Sequence, residues 1–434
     1  MIGLARFYPL FAAAALLGTG TAGAEALHID AEHLRHLLTE LSQFGSNPEG
    51  GVTRVAFTEA DRAAREWLIP AMAEAGLDVR VDPAGNIHGR RAGNEPGLPT
   101  ILFGSHIDTV PKGGNFDGNV GSMAAMEVML ALNRHKVRTR HSLEMIIWAS
   151  EDSGKGLFGS RAVTRGPDPG ELELIDAQGV PLVERMRRLG LNPDQISESR
   201  LNAADYAAYL ELHIEQGPVL FRSDIDIGVV EGIVAVQHFD VQVEGFANHA
   251  GTTPMNERHD ALLAAALLML AVREEVMAKP GTQVGTVGWV KVLPGAPNVV
   301  PGLVQMPIEL RALDPTMISE NIARIRARAQ AIARREKVSI SIEQYSHSPA
   351  ALTDPRLQDL IEQAARDADF STLRLPSGAG HDAQIIASYG VPTGMIFVPS
   401  TEGISHSPSE HTDWADCARG AEVLYRVIRA LDQG

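Results

Sequence analysis

Pro99-Thr100-Ile101-Leu102-Phe103 leads directly into Gly104-Ser105-His106-Ile107-Asp108-Thr109-Val110, and Gly113-Gly114-Asn115-Phe116-Asp117-Gly118 follows shortly after. An apolar strand thus ends in a histidine and an aspartate two residues apart, then a glycine-rich loop carries a second aspartate. In open α/β sheets, ligands bind beyond the carboxyl ends of the strands, so this stretch predicts both a layered α/β domain and the edge where its site lies. His106 is suited to ligate a metal. Asp108 is placed to receive the proton of the other ring nitrogen, and the glycines allow a tight loop that returns Asp117 to the same place. A carboxylate has two oxygens and can bridge two cations.

Outward from this stretch, helical and strand patterns alternate. Residues 31–45 and 59–75 read as helices, 77–81 and 85–90 as strands, 122–133 as a helix and 143–149 as a strongly apolar strand. Apolar rather than half-polar strands argue for a sheet covered on both faces. After Gly217 the character changes, and 234–243 alternates like a strand with one exposed face. A helix over 260–277, strands near 286–292 and 305–310, a helix over 318–334 and a strand over 338–342 complete the order βαββαβ, a two-layer α+β unit. The α/β pattern resumes with a helix from Pro355, an apolar strand at 393–398 and a closing helix from Cys417. The expected divisions are a catalytic domain over 25–227 and 348–434, with an insertion over 228–347.

Three further segments carry chemistry. Leu143-Glu144-Met145-Ile146-Ile147-Trp148-Ala149-Ser150-Glu151-Asp152 is an apolar strand ending in two acids, one of which can bind metal while the other faces the reacting water as general base. Leu210-Glu211-Leu212-His213-Ile214-Glu215-Gln216-Gly217-Pro218 places His213 and Glu215 on one face of a strand. Gly403-Ile404-Ser405-His406-Ser407-Pro408-Ser409-Glu410 puts another histidine just beyond an apolar strand. Three histidines with several carboxylates suit zinc first, with manganese, cobalt or nickel fitting the same mixed donor set.

With Gly51-Val52-Thr53-Arg54, Gly85-Asn86-Ile87, Asn248-His249-Ala250-Gly251-Thr252-Thr253-Pro254-Met255 and Gly378 to Asp382, these segments resemble peptidase family M20, and within it the hydantoinase/carbamoylase-type amidases. The resemblance spans almost all of the chain after its first residues. It implies a zinc-aminopeptidase-like layered catalytic domain with an inserted lid and dimerisation domain. It implies two divalent metal ions per subunit, held by His106, Asp117, Asp152, His213 and His406, with Asp117 bridging. Glu151 would be the catalytic base and Asp108 the partner of His106. The implied reaction releases ammonia and carbon dioxide from an N-carbamoyl-L-amino acid. Allantoate or ureidoglycolate, and N-acyl amino acids or dipeptides, are the alternative substrates. The family usually has two glutamates where this chain has Glu151-Asp152, and an Arg-Phe shortly after. This chain reads Ser153-Gly154-Lys155-Gly156-Leu157-Phe158 instead, so the loop that bears on substrate choice is its own.

For the substrate, the resemblance assigns Arg311 and Asn298 to a free carboxylate, which an arginine can grip in bidentate fashion. It places His249 in a neighbouring active site of a homodimer, as a donor to charge developing on the carbonyl oxygen. Gln216 and His381 are further pocket residues. With metal in one domain and His249 and Arg311 in the other, closure of the domains over substrate is expected.

The 434 residues allow two or three domains, and 44% hydrophobic with 21% charged residues is ordinary globular usage. A formal charge of -16 without a basic patch argues against nucleic acid as a partner. Arg6, the apolar run from Phe7 to Leu17 and Ala22-Gly23-Ala24 read as a signal peptide over 1–24, which predicts a periplasmic or secreted protein with no stable membrane association after cleavage. Cys417 is the single cysteine, so no internal disulfide supports the fold, and it reads as a small core side chain.

Overall fold

The computed structural model describes residues 28–434, so the signal segment lies outside the described residues. A nine-stranded mixed sheet forms the larger layer. At its centre Leu143–Trp148, Thr100–His106, Tyr206–Ile214 and Thr393–Val398 lie side by side, each parallel to the next. Antiparallel strands flank them, Asp78–Val81 and Ile87–Arg91 on one side and Ile227–Ile233 on the other. Every residue of Thr100–His106, Leu143–Trp148 and Thr393–Val398 is buried. The two faces divide them by alternation: Ile101, Phe103, Met145, Ile147, Ile396 and Val398 enter one core, while Leu102, Ile146, Trp148, Met395 and Phe397 enter another. The first core is closed by the helices Ala31–Gln43, Asn119–Arg134, Pro355–Arg366 and Trp414–Gln433, the second by Asp382–Ser388. Cys417 is buried in the first of these cores.

The smaller layer is a five-stranded antiparallel sheet with its own core. Leu303–Ala312 alternates half-buried and buried residues along its whole length, the signature of one covered face. Ala261–Met277 and Pro315–Glu336 cover that face, with Leu268, Ile318 and Ile325 meeting Phe239, Val241, Met306 and Ile308. Asp260 and Asp314 cap these helices through their carboxylates.

Two expectations change. The strand expected near 286–292 is two short pieces, Val284–Thr286 and Lys291–Leu293, on the same partner. Thr286 pairs with Glu309 and Lys291 with Gln305, so the edge strand carries one extra residue and bulges at Gly288-Trp289. Second, Ile227–Ile233, expected at the start of the insertion, pairs with Thr372–Ser377 and Thr393–Val398 in the large sheet. It is buried on both faces except at Glu231, as a strand of the covered sheet must be, and the small sheet begins at Ala235.

Candidate metal centre

Because the four central strands run in parallel, their carboxyl ends converge on one edge of the sheet. His106 is the last residue of its strand, and His213 comes next to last in its own. Glu151 and Asp152 follow Leu143–Trp148 through Ser150, Asp117 comes from the loop before Asn119–Arg134, and His406 follows the strand Thr393–Val398 by a longer loop. Ser150, Leu157, Gln216 and His406 all have positive φ between 53° and 58°, a costly backbone state for non-glycine residues that collects here. Gly118 has φ 63°, and a Cβ there would lie 2.3 Å from His106 Nε2, so this position must lack a side chain for the imidazole to face the site.

Asp117 organises the centre. Its Oδ1 lies 3.5 Å from His106 Nε2 and 3.2 Å from His213 Nε2, while its Oδ2 lies 3.3 Å from His406 Nε2. Asp152 Oδ1 is 3.4 Å from the same His406 nitrogen. Two donor groups result, His106/Asp117/His213 and Asp117/Asp152/His406, sharing one carboxylate with one oxygen turned to each. The Nδ1 atoms of His106 and His213 lie against the carbonyls of Asp108 and Ile214, at 3.0 and 2.9 Å. The two Nε2 atoms lie 3.5 Å apart in a fully buried space, both turned to Asp117 Oδ1, so that one cation between them would meet all three groups. Asp152 Oδ2 is buried without a partner. The residues present therefore fit two divalent cations.

Asp108 differs from its expected role. His106 Nδ1 meets its backbone carbonyl, whereas its carboxylate is 3.6 Å from the ring and accepts from Glu151 N, Asp152 N and Ser153 Oγ at 2.7 to 3.1 Å. A carboxylate so engaged fastens the turn that presents the two acids. Glu151 Oε2 stands 3.6 Å from His106 Nε2. Burial pushes its carboxyl well above the usual range and, although His106 opposes this, the charges of Asp152, Asp382 and Asp117 add to it. Asp117 goes the other way: burial opposes its charge, yet His213 and the contacts of His106, His213 and His406 hold it well below the usual range. His406, bonded to Asp117 and Asp152, is pushed up to about 10.

A cavity of about 380 Å³ opens over these groups, and Arg311, Gln216 and His381 line it with Lys155 and Leu157. Arg311 reaches across from the small sheet, its Nε donating to Glu309 at 2.8 Å and its Nη1 to the Gly378 carbonyl at 2.7 Å. Gln216 Nε2 donates to Asp117 Oδ2 at 2.6 Å, so this side chain touches the donor set itself. His381 bonds Ser377 Oγ at 2.9 Å and stacks edge-on against His213 with Nδ1 unpartnered. Burial holds it well below its ordinary pKa, so it stays neutral. His249 and Asn298 do not line this cavity. Both are exposed at a two-stranded ribbon, Asn248–His249 with Val299–Val300, where His249 pairs with Val299 and the Asn298 carbonyl accepts from Ala250 N.

Two glutamates quoted in the motifs without a role prove structural to the site. Glu410 accepts from Phe116 N and Asp117 N at 2.9 and 3.0 Å and from Ser405 Oγ at 2.9 Å, tying the loops of Asp117 and His406 together. Glu211, wholly buried beneath His213, accepts from Ser105 Oγ, Tyr209 OH and Ala383 N, which occupies its oxygens. Its two-residue spacing from His213 within an apolar strand was the available signal. Glu215, expected beside His213, instead caps the turn at Val219 and Leu220.

Two sheets, one bearing a twofold donor set at its carboxyl edge and one leaning an arginine over it, define a metal-dependent hydrolase. The match of residues 102–430 to peptidase family M20/M25/M40 agrees with this class. The chain belongs to that family and, within it, to the hydantoinase/carbamoylase-type amidases. It is 39% identical over 409 residues to the N-carbamoyl-L-amino acid amidohydrolase of Geobacillus stearothermophilus, covering 94% of this chain and 100% of that one. It is 38% identical over 419 residues to the ureidoglycolate hydrolase of Arabidopsis thaliana, covering 94% and 88%. The crystal structure of a hydantoinase/carbamoylase family amidase from Burkholderia multivorans superposes with a TM-score of 0.88 at 32% identity, covering 94% and 98%.

Proposed function

We propose that this enzyme hydrolyses the carbamoyl C–N bond of N-carbamoyl-L-amino acids. The observation that carries the reading is Arg311, the guanidinium of one sheet placed in the same cavity as the donor set and Glu151 of the other. A substrate with a free carboxylate and a ureido group a few bonds away spans those two features. The similarity to the Geobacillus stearothermophilus amidohydrolase supports the same substrate class. When bound, two divalent cations, zinc first and manganese or cobalt as alternatives, activate water and polarise the carbamoyl oxygen. Glu151, 3.6 Å from His106 Nε2 at the edge of the donor set, is placed to take the proton from the attacking water and pass it to the departing nitrogen. Ammonia leaves, and the N-carboxy product loses carbon dioxide to give the amino acid. Asp108 holds the backbone of Glu151 and Asp152 throughout, and Gln216 steadies Asp117.

The test is ammonia release from N-carbamoyl-L-methionine by protein loaded in turn with zinc, manganese and cobalt. Ureidoglycolate runs in parallel, because the similarity to the Arabidopsis thaliana hydrolase is nearly as high. Ammonia from ureidoglycolate alone would reject the N-carbamoyl reading in favour of that one.

Two extensions belong to this proposal. His249 and Asn298 act from a second subunit, since both are exposed and neither lines the cavity of its own chain. A fully active monomer in analytical ultracentrifugation would remove that extension. Residues 1–24 direct export, which a native N-terminus at Met1 in cell fractions would contradict. Among the described residues no helix is long and apolar enough to cross a membrane.

A further inference from the structure

Beside Glu151 and Asp152 the cavity wall is built by the loop Gly154 to Leu157, which is fastened at both ends. Asp108 accepts from the backbone of Glu151 and Asp152 and from Ser153 Oγ. Gly156 N bonds the Ser153 carbonyl at 3.0 Å and Leu157 N the Glu151 carbonyl at 2.8 Å. From below, the buried Arg161 donates to the Gly156 carbonyl at 2.8 Å and is itself gripped by Glu171. Gly154 and Gly156 both sit at positive φ, 67° and 73°, on either side of Lys155. The result is a turn fastened at its base with one long, exposed side chain at its tip, lining the same cavity as Arg311. Lys155 has no hydrogen bond or ion pair among the described residues.

Resting on the N-carbamoyl reading, we propose that the substrate carries a second anionic group on its side chain and that Lys155 receives it. The preferred class is then the N-carbamoyl derivatives of acidic L-amino acids. Arg311 takes the α-carboxylate, and the cations with Asp117, Asp152 and Glu151 face the ureido group. That leaves the ammonium of Lys155 as the unmatched charge in the space that remains. An ammonium drawn out of water when a ligand fills the cavity is costly unless it meets an anion, so a neutral side chain binds at a penalty that a carboxylate removes. Leu157 on the same wall offers contact for the methylenes between the two carboxylates.

The experiment compares N-carbamoyl-L-aspartate and N-carbamoyl-L-glutamate with N-carbamoyl-L-methionine, using the metal-loaded enzyme and its Lys155→Met and Lys155→Arg variants. The expected result is a higher kcat/KM for at least one acidic substrate, falling roughly 10- to 100-fold in Lys155→Met and largely kept in Lys155→Arg, with the methionine substrate held or improved in Lys155→Met as the desolvation penalty goes. Methionine turnover with no acidic preference, or with acidic substrates untouched by Lys155→Met, overturns the inference and leaves the N-carbamoyl reading standing. An equal fall on all substrates also overturns it, since Lys155 would then serve the reaction itself. Ammonia from none of the three rejects the N-carbamoyl reading, and this inference falls with it.

Discussion

The large sheet and the small sheet each rest on an apolar core, yet they treat charge in opposite ways. Buried on both faces, the large sheet hides its charge: Glu211, His106 and His213 are essentially inaccessible, and each is held by at least one named partner. The small sheet keeps one face in water and lays its charges along it, where Glu309 meets Arg311 of its own strand at 2.8 Å and His238 of the adjacent strand at 2.9 Å. Charge needed for metal must be desolvated and over-determined, because a buried unpaired ligand costs several kcal/mol. Charge needed to grip a substrate that comes and goes is better placed on a half-exposed surface, within reach of the cavity but not locked inside it. The comparison predicts different consequences for damage on the two sides.

The largest effect belongs to Glu151. Glu151→Gln should lower kcat by about 10³-fold or more while leaving metal content and melting temperature close to those of the parent, as measured by ammonia release, elemental analysis and calorimetry. Unchanged turnover would remove Glu151 from the chemistry. Next comes Asp117, shared by both donor groups. Asp117→Asn should deplete both cations, whereas Asp152→Ala should deplete one, read as metal per chain after dialysis. Chelation of the parent should lower the stability of the large-sheet domain by roughly 3–4 kcal/mol at saturating metal, with less effect on amide exchange of the small sheet, whose core contains no donor group. Equal loss of protection in both sheets would break the comparison.

Glu309→Gln is a gentler test. Removing the charge behind Arg311 should raise KM for the carboxylate substrate about 3- to 10-fold with kcat nearly unchanged, because the arginine is held less well but the reacting groups are untouched. A fall in kcat at constant KM would show that Arg311 serves the chemical step instead. The smallest effect lies far from the site, at His88. Burial opposes its charge, but Asp82 and Glu144 hold the ring and raise its pKa above the ordinary 6.5. A group raised in the folded state contributes stability that is fully present below its unfolded pKa and lost as pH rises through the folded value. Stability should therefore decline as pH climbs past about 6.5, and His88→Gln should flatten that decline in denaturant titrations. A parallel slope in parent and variant would refute it.

Much of this was legible in the chain itself. Unbroken apolar runs such as Leu143 to Trp148 announce strands covered on both faces, and the alternation of Ala235–Glu244 announces a sheet with a wet side. His106, His213 and His406 stood out as histidines at or just beyond apolar strands, whereas Asp117, Glu151 and Asp152 gained their roles from the resemblance to the family, since acids at a strand end or in a loop are common by chance. Ile227–Ile233 was misplaced because its change of pattern comes after it, at Ala235, where the chain leaves one sheet for the other. Glu410 could not be given a role, since its work is to accept from the backbone of Phe116 and Asp117, almost three hundred residues earlier.

Local patterns of apolar and polar residues determined the strand types and the two-layer division, because these depend on periodicity, while the donor set came from the resemblance to the M20 family carried by the dispersed motifs. Only the tertiary structure decided that Asp117 turns one oxygen to each donor group, that Asp108 fastens the turn of Glu151 through its carboxylate while its carbonyl meets His106, and that Lys155 and Arg311 line one cavity. Those are matters of direction and distance between segments far apart in the chain. They follow from the parallel packing of four strands whose ends meet, which no single segment contains.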